Sequence, residues 1–293
     1  MDPGPLRDTL TVALGLATGA MSGLFGVGGA VISTPGIRAL GASAQTAIGT
    51  TLPCIIPGAA SGTLRYAREG LVDRPAVVAT TPVGIFAAVA GALLTAVVPG
   101  HGHALMLVTA ALLAVSGARM IQNPTPDPTA LTPDVLAAGS VARATNPAAK
   151  TEEVPGDLVV GATDRPHGRP TVVRLAAVGT LAGLLSGLLG IGGGIVMVPG
   201  FTQVAGMPLK RAIATSLACV GIFAVPGTIT HALLGNIDWR FALLLTVGMI
   251  PGARLGAALT IRAEDRRLQA VVGAFLAVTA VVYAAGEIAA LVS

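Results

Sequence analysis

"GLLSGLLGIGGGIVMVPGF", residues 183–201, sets seven glycines among leucine, isoleucine and valine without a single charge. "GAMSGLFGVGGAVISTPGI", residues 19–37, is nearly the same sentence written earlier in the chain. Sliding one half by 164 residues lays Ser22 on Ser186, Gly26 on Gly190, Gly28 on Gly192 and Pro35 on Pro199. Sliding by 165 aligns "TAIGTTL" from Thr46 with "RAIATSL" from Arg211, Cys54 with Cys219, Gly70 with Gly235, Asp73 with Asp238 and Gly91 with Gly256. So many matches at two neighbouring offsets identify a duplication. The first repeat spans 1–121 and the second 172–293; between them, residues 122–171 carry eight prolines and read as a polar tether.

Only 11% of the 293 residues are charged and 53% are hydrophobic, whereas soluble domains carry roughly 25% charged residues. That balance places the chain in a membrane. A bilayer core about 30 Å thick needs roughly 20 apolar residues per helix. Eight runs qualify: 10–33, 44–66, 75–98, 103–121, 172–199, 212–234, 240–261 and 268–291. The expectation is an all-α polytopic membrane protein of about eight transmembrane helices, two four-helix repeats with glycine-broken first helices. The 18 Lys and Arg against 14 Asp and Glu sit mostly between the runs, as orienting charges and not as a nucleic-acid surface. "MDPGPLRDTL" lacks the basic region of a secretory signal, so no processing is expected. Cys54 and Cys219 lie deep in apolar runs, which argues against a disulfide framework or a metal site, and no cofactor motif is present.

Two arrangements satisfy the repeat. Four crossings per half make the halves parallel, while a re-entrant glycine segment leaves three crossings and makes them inverted. On the four-crossing count, 11 Lys and Arg fall on the side of the termini and linker, Arg7, Arg65, Arg74 and Arg240 among them. Six fall opposite: Arg38, Lys210, Arg211, Arg262, Arg266 and Arg267. The positive-inside rule then sets termini and linker in the cytoplasm.

Glycine in a transmembrane segment either lets helices approach closely or lets the backbone leave helical geometry. Gly15, Gly19 and Gly23, like Gly179, Gly183 and Gly187, recur every four residues and line one helical face. The successive glycines Gly192, Gly193 and Gly194 cannot all face one neighbour, and each weakens a helix by about 1 kcal/mol relative to alanine. This cluster, and Gly26, Gly28 and Gly29 in the first half, are expected to break the helix. Breaks at membrane depth survive where they line a wet cavity or are buried in protein, and the start of the following half-helix is a ready anion site. Pro35 and Pro199 follow as stops, and Pro53, Pro57, Pro82, Pro226 and Pro251 read as further breakers. Paired broken helices in corresponding positions are a sequence pointer to a transporter site.

The paired glycine motif, with "AIATSL" and "HALLGNIDW", resembles the TauE/SafE sulfite exporter family of membrane permeases over roughly 10–121 and 172–291. The resemblance implies an eight-helix permease of the inner cell membrane for sulfite, sulfonates or related organosulfur anions, with no enzymatic step. Ala30 stands where the second half has Gly194, a departure from the fuller glycine pattern.

Several polar residues are candidates for contact with such an anion. Arg254 is the one basic residue well inside an apolar run, costing about 2.5–3.5 kcal/mol on insertion scales. Its guanidinium can grip an oxyanion bidentately, or snorkel to the interface. Thr50 and Thr51, with repeat partners Thr215 and Ser216, can offer hydroxyls to the anion or bond back to helix carbonyls. Ser22 and Ser186 read as packing residues, His231 as an interfacial histidine, and Asp73 and Asp238 as helix caps. The substrate-contacting set is therefore Gly26, Gly28, Gly29, Thr50, Thr51, Gly190, Gly192, Gly193, Gly194, Thr215, Ser216 and Arg254.

An intramembrane serine protease using Ser22 or Ser186 lacks the glycine two residues before the serine, and the serine is duplicated while His231 is not. No G-x-G-x-x-G follows a soluble strand. The expected function is export or facilitated movement of a small anion. The alternatives are proton-coupled uptake of an organic anion and a non-transporting scaffold. The expected partners are the anion and the bilayer.

Overall fold

A computed structural model describes residues 4–97, 172–189 and 193–292, with isolated positions between 111 and 122. Most of the run 103–121, the tether, and Gly190 and Gly192 lie outside the described residues. No strand occurs among the described residues. The first half supplies α1 (Pro5–Phe25), α2 (Ala30–Ala39), α3 (Ala44–Arg68) and α4 (Arg74–Val97). The second supplies α5 (Val172–Leu189), α6 (Gly194–Pro199) with a π turn over Gly200–Val204, α7 (Leu209–Leu233), α8 (Trp239–Arg262) and α9 (Asp265–Val292). α1, α8 and all or most of α3, α4 and α7 are long and apolar enough to span a bilayer. Their outer faces carry exposed Phe86, Leu233, Leu243 and Leu259, as lipid contact requires.

The glycine rows set the closest packing. A Cβ on Gly15 would overlap the backbone of Leu245, one on Gly19 the backbone of Met249, and one on Gly23 that of Ala253. In return Gly248 faces Val12 and Leu16, Gly252 faces Leu16 and Ala20, and Gly256 faces Ala20. Both series ascend together, so α1 and α8 run parallel with their backbones touching, as small residues allow. Gly179 against Thr80 and Gly183 against Gly84 set α5 parallel to α4 in the same manner.

Helix direction settles the choice between parallel and inverted halves. Gly62 meets Leu217, Gly221 meets Ala59 and Gly227 meets Leu52, so α3 and its repeat counterpart α7 run antiparallel. α3 is parallel to α8, since Cys54 bonds to Ala242 and Ser61 to Ile250. The halves are inverted.

The reason lies at the glycines. α1 ends at Gly26 (φ 69°), and Gly28 and Gly29 (both φ 82°) turn the chain back. Gly29 then packs on Thr18 and Gly36 on Leu14, so α2 descends antiparallel to α1. The apolar runs at 10–33 and 172–199 are therefore hairpins and not single crossings, because left-handed backbone geometry reverses the chain where hydropathy alone shows no interruption.

Two further expectations are corrected. Pro35, Pro53, Pro57, Pro82, Pro226 and Pro251 all lie inside continuous helices, with the surrounding bundle holding the missing bond's neighbourhood in place. The sidedness also changes. Arg65, Arg68, Arg74, Arg174, Lys210, Arg211, Arg262, Arg266 and Arg267 lie at the end of the bundle where α3 and α8 finish and α4, α5 and α7 begin, as the parallel and antiparallel pairings require. Arg7, Arg38 and Arg240 lie at the other, where Arg240 pairs with Asp8. The N-terminus and Val172, where the tether rejoins, are thus at opposite ends, because each hairpin adds a leg to its half.

Candidate functional site

The two breaks meet at the middle of the bundle. A Cβ on Gly194 would lie 2.6 Å from the Cα of Val27 and 2.7 Å from the carbonyl oxygen of Gly26. Gly28 packs against Val220 and Ile55, which are repeat counterparts. Gly28 thus sits where α3 and α7 cross, near the centre of each.

Among the described residues, the break satisfies its acceptors and leaves its donors open. Gly26 N–H bonds to the Ser22 carbonyl at 2.8 Å. The Tyr66 hydroxyl donates to the Gly23 carbonyl, Thr260 to that of Leu24 at 3.2 Å, and Ser216 to that of Gly26 at 2.8 Å. On the other side of the turn, the N–H groups of Val27, Gly28, Gly29, Ala30 and Val31 have no hydrogen-bond partner among the described residues; the first bonded amides of α2 are Ile32 and Ser33, both to Gly29. Open amides at a helix start, deep in an apolar bundle, suit a negatively charged guest. In the second break Gly193 (φ 67°) caps α6, and its carbonyl accepts the N–H groups of Val196 and Met197.

Of the residues expected to contact an anion, Gly26, Gly28, Gly29, Gly193 and Gly194 gather at this centre. Thr50, Thr51, Thr215 and Ser216 have other occupations. Thr50 Oγ1 accepts the Asp238 N–H at 2.9 Å, and Thr215 Oγ1 accepts the Asp73 N–H at 3.1 Å. Each repeat thus caps the third-run helix of the other, and the aspartates in turn cap α4 through Ala76 and α8 through Arg240 and Phe241. Thr51 bonds back to Ala47 at 2.9 Å. Arg254 lies with Leu243 and Val247 on the exposed face of α8 turned away from α1, and no polar partner is recorded for it among the described residues. The structure does not bring it to the break.

Sequence reasoning missed two features. One is a cleft of about 320 Å³ at the basic end, lined by Gly70, Val72, Asp73, Arg74, Pro75 and Arg211. The other is the state of Thr18 and Ser22, whose buried hydroxyls have no partner among the described residues. Cys54 and Cys219 are buried free thiols.

Residues 11–283 match the model of a family described as sulfite exporter TauE/SafE. A probable membrane transporter protein of Xylella fastidiosa is 29% identical over 259 residues, covering 86% of this chain and 85% of the relative. The probable membrane transporter protein YunE of Bacillus subtilis is 26% identical over 273 residues, covering 88% and 90% respectively. No solved structure matches the chain.

Proposed function

This chain belongs to the TauE/SafE sulfite exporter family of membrane transporters, and on that premise we propose that it moves a small oxyanion, sulfite or an organic sulfonate, through the centre of two inverted repeats, 1–121 and 172–293. The observation that carries the proposal is the imbalance at the first break: its carbonyls are met by Ser216, Tyr66 and Thr260 while five successive amides have no partner among the described residues. A cation site would expose the carbonyls instead. The convergence of Gly26 and Gly194 supports one shared site.

Inverted repeats supply alternating access when each half adopts the other's conformation in turn. The basic end faces the cytoplasm of the cell by the positive-inside rule, which puts the N-terminus outside. Arg74 and Arg211 in the cleft raise the local anion concentration at the inner mouth. Leaving a negative-inside cell is favoured by roughly 2.3 kcal/mol per anionic charge per 100 mV, so export needs no chemical step.

The test is flux of radiolabelled sulfite from liposomes holding the purified chain. Saturable efflux, faster with the anion-loaded side negative and inhibited by ethanesulfonate, is expected. A folded protein that passes neither sulfite nor ethanesulfonate at either voltage sign refutes the proposal.

A further inference from the structure

In a transmembrane helix a serine or threonine hydroxyl ordinarily bonds back to the carbonyl four residues earlier. Thr11, Ser33, Thr51, Thr180, Thr228 and Thr279 all do so here. Thr18 and Ser22 do not, although they are 0% and 1% exposed and their oxygens have no partner among the described residues. A buried polar group left in this state calls for an explanation. The two are one turn apart on α1 and share a face. Thr18 lies against the capping glycine of α2, its methyl 2.6 Å from where a Gly29 Cβ would be, and Ser22 supplies the carbonyl that ends α1 at Gly26. Thr18 thus borders the amides without described partners, and Ser22 the turn that leads into them.

We propose that Thr18 and Ser22 are substrate-binding residues, donating their hydroxyl hydrogens to the oxygens of the anion held by the amides of Gly28 to Val31. This rests on the permease reading above and deepens it. A hydroxyl is free to rotate and donate, so α1 offers two donors from one side and the start of α2 offers backbone donors from the other. The spread suits an anion with three diverging oxygens. The site belongs to the first break: the repeat counterpart of Thr18 is Ala182, which has no donor, and there Gly193 faces the Ala182 carbonyl instead, 2.7 Å from the site of a Cβ. Two repeats with similar glycines thus differ at the position of Thr18, while Ser186 keeps the hydroxyl of Ser22.

Sulfite KM and maximal rate in proteoliposomes are measured for Thr18→Val, Ser22→Ala, Thr18→Ser and the control Thr11→Val, whose buried hydroxyl on the same helix bonds back to Arg7. Thermal stabilisation by sulfite and by ethanesulfonate is recorded in parallel. Losing one hydrogen bond to a charged ligand is expected to raise KM about tenfold or more in Thr18→Val and in Ser22→Ala, with stabilisation by either anion weakened to match. Thr18→Ser, which keeps the hydroxyl, recovers most of the KM lost in Thr18→Val, and Thr11→Val stays at the wild-type KM. Should Thr18→Val fail to fold, Ser22→Ala carries the test. Wild-type KM and wild-type stabilisation in folded Thr18→Val and Ser22→Ala overturn this assignment alone. A wild-type protein that neither transports nor is stabilised by either anion overturns the permease reading as well.

Discussion

The reciprocal caps at Thr50 and Thr215 give a test in which structure and transport part company. Valine keeps the shape of threonine but removes the acceptor, so Thr50→Val orphans the Asp238 N–H and Thr215→Val the Asp73 N–H. An unsatisfied buried donor costs about 1–3 kcal/mol, and because both amides are only partly buried the lower part of that range applies, about 1–2 kcal/mol each. α8 has 24 residues, about 36 Å at 1.5 Å per residue, and the two caps lie at its opposite ends. Sites so far apart add within about 0.5 kcal/mol, which puts the double variant about 2–4 kcal/mol below wild type. On the scale of domains of 150–250 residues each kcal/mol lowers the melting midpoint by about 2–4 °C. The assay is thermal unfolding of the purified protein in detergent beside sulfite KM in liposomes. Two similar, additive losses of stability with KM unchanged are expected. A shifted KM at wild-type stability in either variant would show that these hydroxyls face substrate, and refute the capping account.

Three other outcomes follow from the packing. Gly19→Leu sets a side chain into the backbone of Met249 and is expected to cost about 3 kcal/mol or more, whereas Gly70→Ala, with open space around it but φ 67°, costs only about 1–2 kcal/mol; equal melting points for the two would contradict the backbone contact of α1 and α8. Arg254→Gln, on the exposed face of α8, is expected to leave sulfite KM within about twofold, and a loss of flux in folded protein would return the guanidinium to the anion path. Cysteines at the exposed positions Arg240 and Arg74, which four crossings per half would set on one face, should react with an impermeant maleimide from opposite faces of the membrane, Arg240→Cys from outside intact cells and Arg74→Cys only after permeabilisation. Labelling of both from one face would remove the inverted arrangement.

The sequence alone determined what depends on local composition. Apolar length marked the membrane segments without separating crossings from hairpins, the two offsets exposed the duplication, the rows from Gly15 and Gly179 announced helix faces that pack closely, and Asp73 and Asp238 were legible as caps because an N-cap acts within three residues of itself. The breaks at the glycines were legible too, since runs of glycine destabilise helix wherever they fall, whereas the breaks read from Pro53, Pro57, Pro82, Pro226 and Pro251 do not occur. Tertiary structure decided the rest. Whether the chain crosses or turns back at Gly26–Gly29 depends on a few left-handed dihedrals that leave hydropathy unchanged, yet it inverts every later helix and moves Arg74 and Arg211 to one end. The partner of Thr50 is 188 residues away and that of Thr215 is 142 away, so a threonine that caps a distant helix and one that faces an anion look alike in sequence. The facing of Arg254 was open for the same reason: hydropathy measures depth in the bilayer, while the direction a side chain faces is set by which neighbours the helix acquires. Thr18 escaped notice because nothing distinguishes it from Thr11 until one hydroxyl finds a carbonyl and the other does not.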